Sequence, residues 1–339
     1  MGALLAHHTT LRLGGPAETL FAHTDPASWP DLVQAVGNQQ PAVLGGGSNV
    51  LAADAGYPGP VIRMATRGIS VCPAGRDDVE VTAQAGEPLN SVVGYTVSAG
   101  LSGIEYLGGI PGTIGAAPVQ NAGAYGQQIA DRLVSLTVWD WHTRRCQRLG
   151  AADCEFGYRT SLIKRRPGRW TVLDVTLRLR RARRAAPVAY RHLAEALGVP
   201  LGSRPPLAEA AAAVVADREA RGLSLPSAGP DARQVGSVFL NPPVSAAQAE
   251  RLRAAGGPAF PDADGRLRGS AGWLLEQCGY GPGQGLGQGV QCSTARTLTV
   301  TAGEQATAAA FWLTLTAMSV RVAESTGIAL HPEPARLGT

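Results

Sequence analysis

Lysine is nearly missing from this 339-residue chain: among its 30 Lys and Arg residues, Lys164 is the one lysine. Alongside abundant Ala, Gly and Pro, that bias points to G+C-rich coding, and it makes the position of the exception informative. Aromatic residues amount to 5% and the formal net charge is only +4. A nucleic-acid-binding face needs denser basic residues, so the runs at 164–166 and 178–184 read as a solvated strand end and a linker. The five cysteines, Cys72, Cys146, Cys154, Cys278 and Cys292, form no Cys-x-x-Cys pair, and the histidines do not cluster. A metal site is not expected from such a pattern. The odd cysteine count and the lack of an apolar leader point to a reducing cytoplasm. The longest apolar run, 306–323, is interrupted by Thr307, Thr314, Thr316, Ser319 and Arg321. It reads as a packed helix and not as a membrane span. The expectation is a cytoplasmic monomer with no nucleic acid, membrane or metal among its partners.

Hydrophobic residues make up 45% of the chain, enough for two or three globular domains. One stretch stands out: 103–126, GIEYLGGIPGTIGAAPVQNAGAYG, with seven glycines, two prolines and Glu105 as its only ionisable residue apart from tyrosines. A flexible linker would carry Ser and Glu in place of its Ile, Leu and Tyr residues. A core helix would not tolerate this much Gly and Pro. The stretch reads as a buried coil whose backbone comes close to something, since glycine lacks the Cβ that would block the approach. Gly109, Gly112 and Gly115 offer backbone N–H groups of the kind that cradle phosphates, and Gln120 and Asn121 could read a polar heterocycle. A structural Ω-loop without a ligand is the alternative. A second turn, Gly45-Gly46-Gly47-Ser48-Asn49, follows a short apolar strand. It is neither a Walker A loop nor a Rossmann fingerprint, and reads as a diphosphate cradle or a plain strand turn.

The remaining pattern predicts helices at 26–37, 88–99, 207–221, 245–255, 271–279 and from about 304, and strands near 61–64, 69–72, 79–83, 133–141, 145–149, 170–179 and 298–301. Strands with interspersed helices and no strict βαβ period predict an α+β fold. An Arg-, Pro- and Ala-rich stretch at 180–206 reads as a boundary. Arg159, Ser237 and Glu333 stand out as polar groups in apolar or turn-rich settings. Lys164 lies in the same motif as Arg159, Tyr158 to Lys164. A lysine kept where arginine is otherwise universal suggests a place that accepts a compact ammonium and not a planar fork.

Five separated segments, 43–51 (VLGGGSNVL), 110–126 (IPGTIGAAPVQNAGAYG), 156–164 (FGYRTSLIK), 236–242 (GSVFLNP) and 271–278 (AGWLLEQC), occur in the order seen in the UDP-N-acetylenolpyruvoylglucosamine reductase family of peptidoglycan synthesis, which the chain resembles over most of its length. The resemblance implies a two-subdomain FAD-binding fold of the vanillyl-alcohol-oxidase (PCMH) type plus a C-terminal α+β substrate domain. The implied boundaries are 1–70 (with the tail 325–339 nearby), 71–200 and 201–324. It implies non-covalent FAD, NADPH as co-substrate, and reduction of the enolpyruvyl ether of UDP-N-acetylglucosamine enolpyruvate. Gly45, Gly46, Gly47, Ser48 and Asn49 would hold the FAD diphosphate. Ile110, Pro111, Gly112, Thr113, Gly115, Asn121, Gly123 and Ala124 would line the cofactor. Arg159 and Glu333 match the residues that answer charge on the enol carboxylate, and Ser237 the proton donor. Tyr125, Tyr158, Lys164, Tyr190 and Asn241 would contact the substrate. The chain departs from the pattern in four places. The family's lysine before Leu-Pro is Ser224, so that anion contact would pass to Arg221 or Arg233. Gly-Ser-Phe-Phe-Lys-Asn-Pro is Gly-Ser-Val-Phe-Leu-Asn-Pro. Glu-Val-Arg is Glu333-Pro-Ala, with Arg336 one place later. Residues 290–300 lack the histidine common there. Another flavin oxidoreductase of the same fold, or an inactive flavin- or nucleotide-binding protein, are the alternatives.

Overall fold

Residues 2–338 are described by a computed structural model. The chain groups into two compact units: one of two segments, Leu20–Gly46 and Gly59–Ser224, and one of three, the segment up to Thr19, Gly47–Pro58 and the segment from Leu225 on.

The two-segment unit is built on an antiparallel sheet. Its strand order is Arg145–Gly150, Leu133–Asp140, Trp170–Arg181, Asp78–Gln84 and Ile69–Pro73, with Leu101–Ser102 pairing beside the long strand. Alternation explains why one face is buried: in Asp78–Gln84, Val79, Val81 and Ala83 point inward and their neighbours do not. Helix Leu89–Ser98 covers that face with Leu89, Val92, Val93 and Thr96, the i, i+3, i+4, i+7 spacing of one helical stripe. The glycine-rich coil joins this core. Ile104, Leu107 and Ile114 are fully buried among the sheet and helix side chains, each contributing about 1.5–3 kcal/mol of hydrophobic stabilisation. Such residues fix a coil that would otherwise be mobile. A second cluster sets Tyr106 and Tyr125 of the coil against Val188, Leu193, Leu207, Ala210 and Val214. This cluster contains a helix not predicted from the sequence, Arg191–Leu197. Its seven residues lie inside the Arg- and Pro-rich stretch read as a boundary, and too few turns are present for a periodic signal. Glu105 pins the segment before it: its carboxylate accepts from Ala186 N at 2.6 Å, while Tyr106 OH donates to Ala186 C=O at 2.6 Å.

The three-segment unit holds a four-stranded antiparallel sheet, Gln234–Ser237, Thr299–Ala302, Val290–Cys292 and Gly285–Gly287. Helices Ala246–Ala254, Ala271–Gln277 and Ala308–Thr326 accompany it. The last begins a few residues later than the sequence suggested. Thr307 caps Ala310 N, and Asp54 accepts from Ala308 N and Ala309 N at 2.7 and 2.9 Å, so part of the start signal is supplied from a residue far away in sequence. The tail strand Ala335–Leu337 runs parallel to Val50–Ala52, directly after the glycine turn. Among the described residues no helix is long and apolar enough to cross a membrane, and no cluster of His, Cys, Asp and Glu could hold a metal ion.

Candidate functional site

In the two-segment unit the two glycine-rich stretches face each other. A Cβ on Gly45 would stand 2.5 Å from Thr113 Oγ1, and one on Gly46 3.0 Å from Gly112 Cα. Gly112 itself has φ of 111°, a conformation that L side chains rarely adopt. Thr113 Oγ1 is buried and hydrogen-bonds to nothing among the described residues. A buried hydroxyl left without a partner is costly. An orphaned donor beside two backbones stripped of Cβ atoms suits an anionic group such as a diphosphate, so these residues fit the cofactor that the sequence implies. Ile110 and Pro111 lie half-buried beside them. Gly115 has another reason to be glycine: a Cβ there would sit 2.4 Å from Ala85 Cβ, and its N–H donates to Ala85 C=O at 3.0 Å.

The Arg159 motif is anchored to the same coil. Gly157 and Thr160 close a tight turn with Tyr158 and Arg159 at its tip. Arg159 is left-handed, φ 53°, and its Nη2 donates to Gly123 C=O at 2.9 Å. Its guanidinium lies 5.7 Å from the Tyr158 ring centroid. Lys164 Nζ donates to Arg159 C=O at 3.1 Å, and Ser161, capping helix Leu162–Arg165, donates to Val119 C=O at 2.6 Å. Asn121 is a bracket: Nδ2 donates to Gln128 Oε1 and Gly157 C=O, and Oδ1 accepts from Ala130 N. Gly123 and Ala124 pair with Gln128 and Gln127 in a two-residue hairpin. Three non-glycine residues of this region, Asn121, Tyr125 and Arg159, hold φ near 50°. Non-glycine strain of this kind collects where surrounding structure fixes a side chain for use.

Beyond Tyr125 lies a cluster in which sequence reasoning named Tyr190 and Arg221 but missed His192, Asp217 and Arg218. Tyr125 OH donates to Asp217 Oδ2 at 2.7 Å; burial first, and then that carboxylate, push the phenol's pKa up. Its ring stands 6.0 Å from the Tyr190 ring and 5.6 Å from that of His192. Arg221 Nη1 contacts His192 Nε2 at 2.7 Å and donates to Asp217 Oδ2 at 3.2 Å. Arg218 is buried and donates through Nη2 to Leu223 C=O. Burial lowers its pKa, with the charges of Arg221 and Arg159 acting in the same direction. The cluster therefore gathers more positive than negative charge, which suits an anion. The signal in the sequence was small: His192 lies two residues after Tyr190, and Arg218 and Arg221 sit one helical turn apart. Arg233, the other candidate for the displaced anion contact, is engaged elsewhere, with Nε and Nη2 on Leu11 C=O and Arg12 C=O.

In the three-segment unit the structure joins residues that the sequence holds far apart. Ser237 ends strand Gln234–Ser237, where a register shift and Gly236 at φ 75° mark a bulge. Bulges re-aim side chains, and Ser237 is half-buried. Glu333 N–H donates to the carbonyl of the next residue, Val238, at 2.9 Å, and Phe239 bridges Pro332. The segment carrying Glu333 thus runs beside the segment carrying Ser237. Asn49 completes the junction: Nδ2 donates to Glu333 C=O at 3.4 Å, and its carbonyl accepts from Ala335 N at 3.0 Å. Gly47, with φ 63°, packs so closely on His8 that a Cβ would come 2.1 Å from its carbonyl oxygen, and Ser48 lies half-buried between Gly47 and Asn49. Asn241 caps helix Ala271–Gln277, its Oδ1 accepting from Ala271 N at 3.0 Å.

A family model described as an FAD binding domain matches residues 25–147, and one described as the C-terminal domain of UDP-N-acetylenolpyruvoylglucosamine reductase matches 229–337. The UDP-N-acetylenolpyruvoylglucosamine reductase of Salinispora arenicola is 42% identical, covering 97% of this chain and 93% of that one. The reductase of Thermobifida fusca is 40% identical over 98% and 96%. The crystal structure of UDP-N-acetylenolpyruvylglucosamine reductase (MurB) from Thermus caldophilus superposes with a TM-score of 0.66 at 25% identity, covering 98% of this chain and 97% of that one. The chain therefore has the FAD-binding fold and C-terminal domain anticipated from its motifs, and it belongs to the UDP-N-acetylenolpyruvoylglucosamine reductase family.

Proposed function

We propose that this protein is an FAD-dependent UDP-N-acetylmuramate dehydrogenase. It reduces the enolpyruvyl ether of UDP-N-acetylglucosamine enolpyruvate with NADPH as reductant, in the cytoplasmic synthesis of peptidoglycan precursors. Bound FAD supplies the hydride chemistry between NADPH and the vinyl carbon of the substrate. The observation that carries the reading is the joining of Ser237 and Glu333 through the Glu333 N–H to Val238 C=O bond, next to the Asn49 turn.

Hydride addition at the vinyl carbon leaves negative charge on the enol carboxylate and requires a proton at the neighbouring carbon. Arg159, preset by its left-handed turn and the Gly123 carbonyl, answers the charge. Ser237 delivers the proton, and Glu333, which must be protonated or share a hydrogen bond to help an anion, contributes to answering the charge. Gly45, Gly46, Gly112 and Thr113 hold the cofactor diphosphate, together with Gly47, Ser48 and Asn49; Ile110, Pro111 and Ala124 wall the cofactor. Asn121, Gly123 and Gly115 shape that wall from behind, through the bonds that occupy them. Tyr125, Tyr158, Lys164, Tyr190 and Asn241 bound the substrate region, and Arg221 takes the anion contact that Ser224 lacks. All five cysteines are free thiols, Cys72 and Cys146 exposed, which suits a reducing compartment.

Anaerobic NADPH should bleach the flavin band of the purified holoprotein, and the enolpyruvyl sugar nucleotide should restore it. A yellow protein that NADPH bleaches but the sugar nucleotide leaves reduced would mean a different oxidoreductase of this fold.

A further inference from the structure

The contact between Arg221 Nη1 and His192 Nε2, 2.7 Å, fixes a protonation state. Arginine has no acceptor, so the imidazole nitrogen must offer its lone pair, and the ring is neutral with its proton on Nδ1. We propose that neutral His192 is a positioning residue for Arg221, holding the guanidinium so that its other edge binds the diphosphate of the sugar nucleotide. The inference rests on the function proposed above. Both side-chain bonds of Arg221 among the described residues leave from Nη1, one to His192 and one to Asp217. Nε–H and Nη2–H, the parallel pair that meets a phosphate side-on, donate to nothing among the described residues, and the side chain is 46% exposed. Asp217 is itself fixed by Tyr125 OH at 2.7 Å. Tyr125, Asp217, Arg221 and His192 thus form one clasp. It closes the Tyr190 segment onto the coil, since the Tyr125 ring packs against those of Tyr190 and His192 at 6.0 and 5.6 Å.

Protonation would undo it. An imidazolium has no lone pair for Arg221 and repels it. Its nearest anion is then Asp217, whose Oδ2 is 3.7 Å from Nε2 and which already serves Arg221 and Tyr125. The charged and titratable groups facing the ring are Arg221 and Asp217 at the end of helix Leu207–Ala220, Tyr125 of the coil, Tyr190, and Glu195 on its own helix. Burial and Arg221 push the His192 pKa down, Asp217 and Glu195 pull it up, and the net lies below the ordinary value. The clasp is therefore intact at neutral pH and opens as pH falls through the lowered pKa of His192.

The test is the Kd of UDP-N-acetylglucosamine enolpyruvate for the oxidised holoprotein, read from the flavin absorbance change near pH 7.5 and near pH 5.5. Wild type is expected to bind more weakly at the lower pH, by a factor of less than about ten because the His192 pKa lies below its ordinary value. His192→Phe keeps a ring and removes the acceptor. It should bind about tenfold more weakly than wild type at the higher pH and show no further loss at the lower one. His192→Gln offers an amide oxygen that does not titrate, and should bind like wild type at the higher pH and stay constant. His192→Phe binding as tightly as wild type, or wild-type pH dependence surviving in His192→Gln, overturns the positioning role. So does equal weakening in both variants, which marks a residue that only packs. Wild type that holds FAD yet binds no sugar nucleotide overturns the functional reading itself.

Discussion

A serine hydroxyl gives up a proton reluctantly in water, so Ser237 can act only where charge and position favour it. Its place at a glycine bulge beside the Glu333 segment provides the position. Its work falls after hydride reaches the substrate, which separates the two half-reactions. Ser237→Ala should be bleached by NADPH at a near-normal rate and be reoxidised by the sugar nucleotide about 10²–10⁴-fold more slowly, as stopped-flow traces of each half would show. Equal slowing of both would make it a structural serine. Lys164 makes a different demand. Its ammonium holds the carbonyl of a left-handed Arg159. A planar guanidinium cannot take that place without moving the turn. Lys164→Arg should therefore raise KM for the sugar nucleotide by about tenfold with flavin content unchanged. The oddity of one lysine among arginines pointed to this residue from sequence, but its partner, a backbone oxygen five residues earlier, is visible only in three dimensions. His192 left no such mark: its partner Arg221 is 29 residues away, beyond any local spacing rule.

At the level of elements, the glycines of one motif separate into two kinds. A methyl on Gly115 would overlap Ala85 Cβ at 2.4 Å and its backbone at 2.8 Å, with no flexible atom to give way. A methyl on Gly45 meets a hydroxyl that can turn. Gly115→Ala should lower the melting temperature strongly or prevent folding, at a cost of about 1–3 kcal/mol or more. Gly45→Ala should melt near wild type when both are stripped of flavin, but purify with a reduced flavin-to-protein absorbance ratio. Helices and strands with a clear period were legible: the helix after Asp25, the hairpin Leu133–Asp140 with Arg145–Gly150, and the capped helix Ala246–Ala254 all stand where pattern placed them. The elements that were not legible are those whose stabilisation comes from elsewhere in the chain. Strand Ala335–Leu337 is three residues long and owes its form to Val50–Ala52. Helix Arg191–Leu197 owes its form to the cluster around Tyr106 and Tyr125.

At the scale of the whole molecule, each unit holds an aspartate, Asp140 in one and Asp262 in the other, whose side chain is fully out of water. Burial alone would raise the Asp140 pKa, but the N–H groups of Thr143 and His142 and the Arg169 guanidinium outweigh it and hold it low. Arg268 and two backbone N–H groups do the same for Asp262. With folded-state values below the unfolded one, both contribute stability that is complete above about pH 4 and is lost as pH falls through the depressed pKa. Asp140→Asn should destabilise the protein at neutral pH by about 1.5–3 kcal/mol and flatten the acid limb of its stability curve, measured by denaturant titration at several pH values. Because FAD binds the native chain and not the unfolded one, adding it at a hundredfold excess over Kd should stabilise the protein by about 2.7 kcal/mol; no rise in melting temperature would argue against a cofactor cradle at Gly45 and Thr113.

The division of the chain also sets an order of events at the ribosome. Every residue of the two-segment unit lies between Leu20 and Ser224, so that unit has all its parts while the rest is still being made. The other unit has Leu11, Leu13 and Leu51 waiting, apolar and uncovered, for partners such as Phe239, Phe311 and Leu315. At about 5–20 residues per second, the wait from Leu225 onward lasts on the order of ten seconds. During that interval the nascent chain carries a finished half and an open one, and a translational pause or a truncation beyond Ser224 would present the open half to chaperones and proteases.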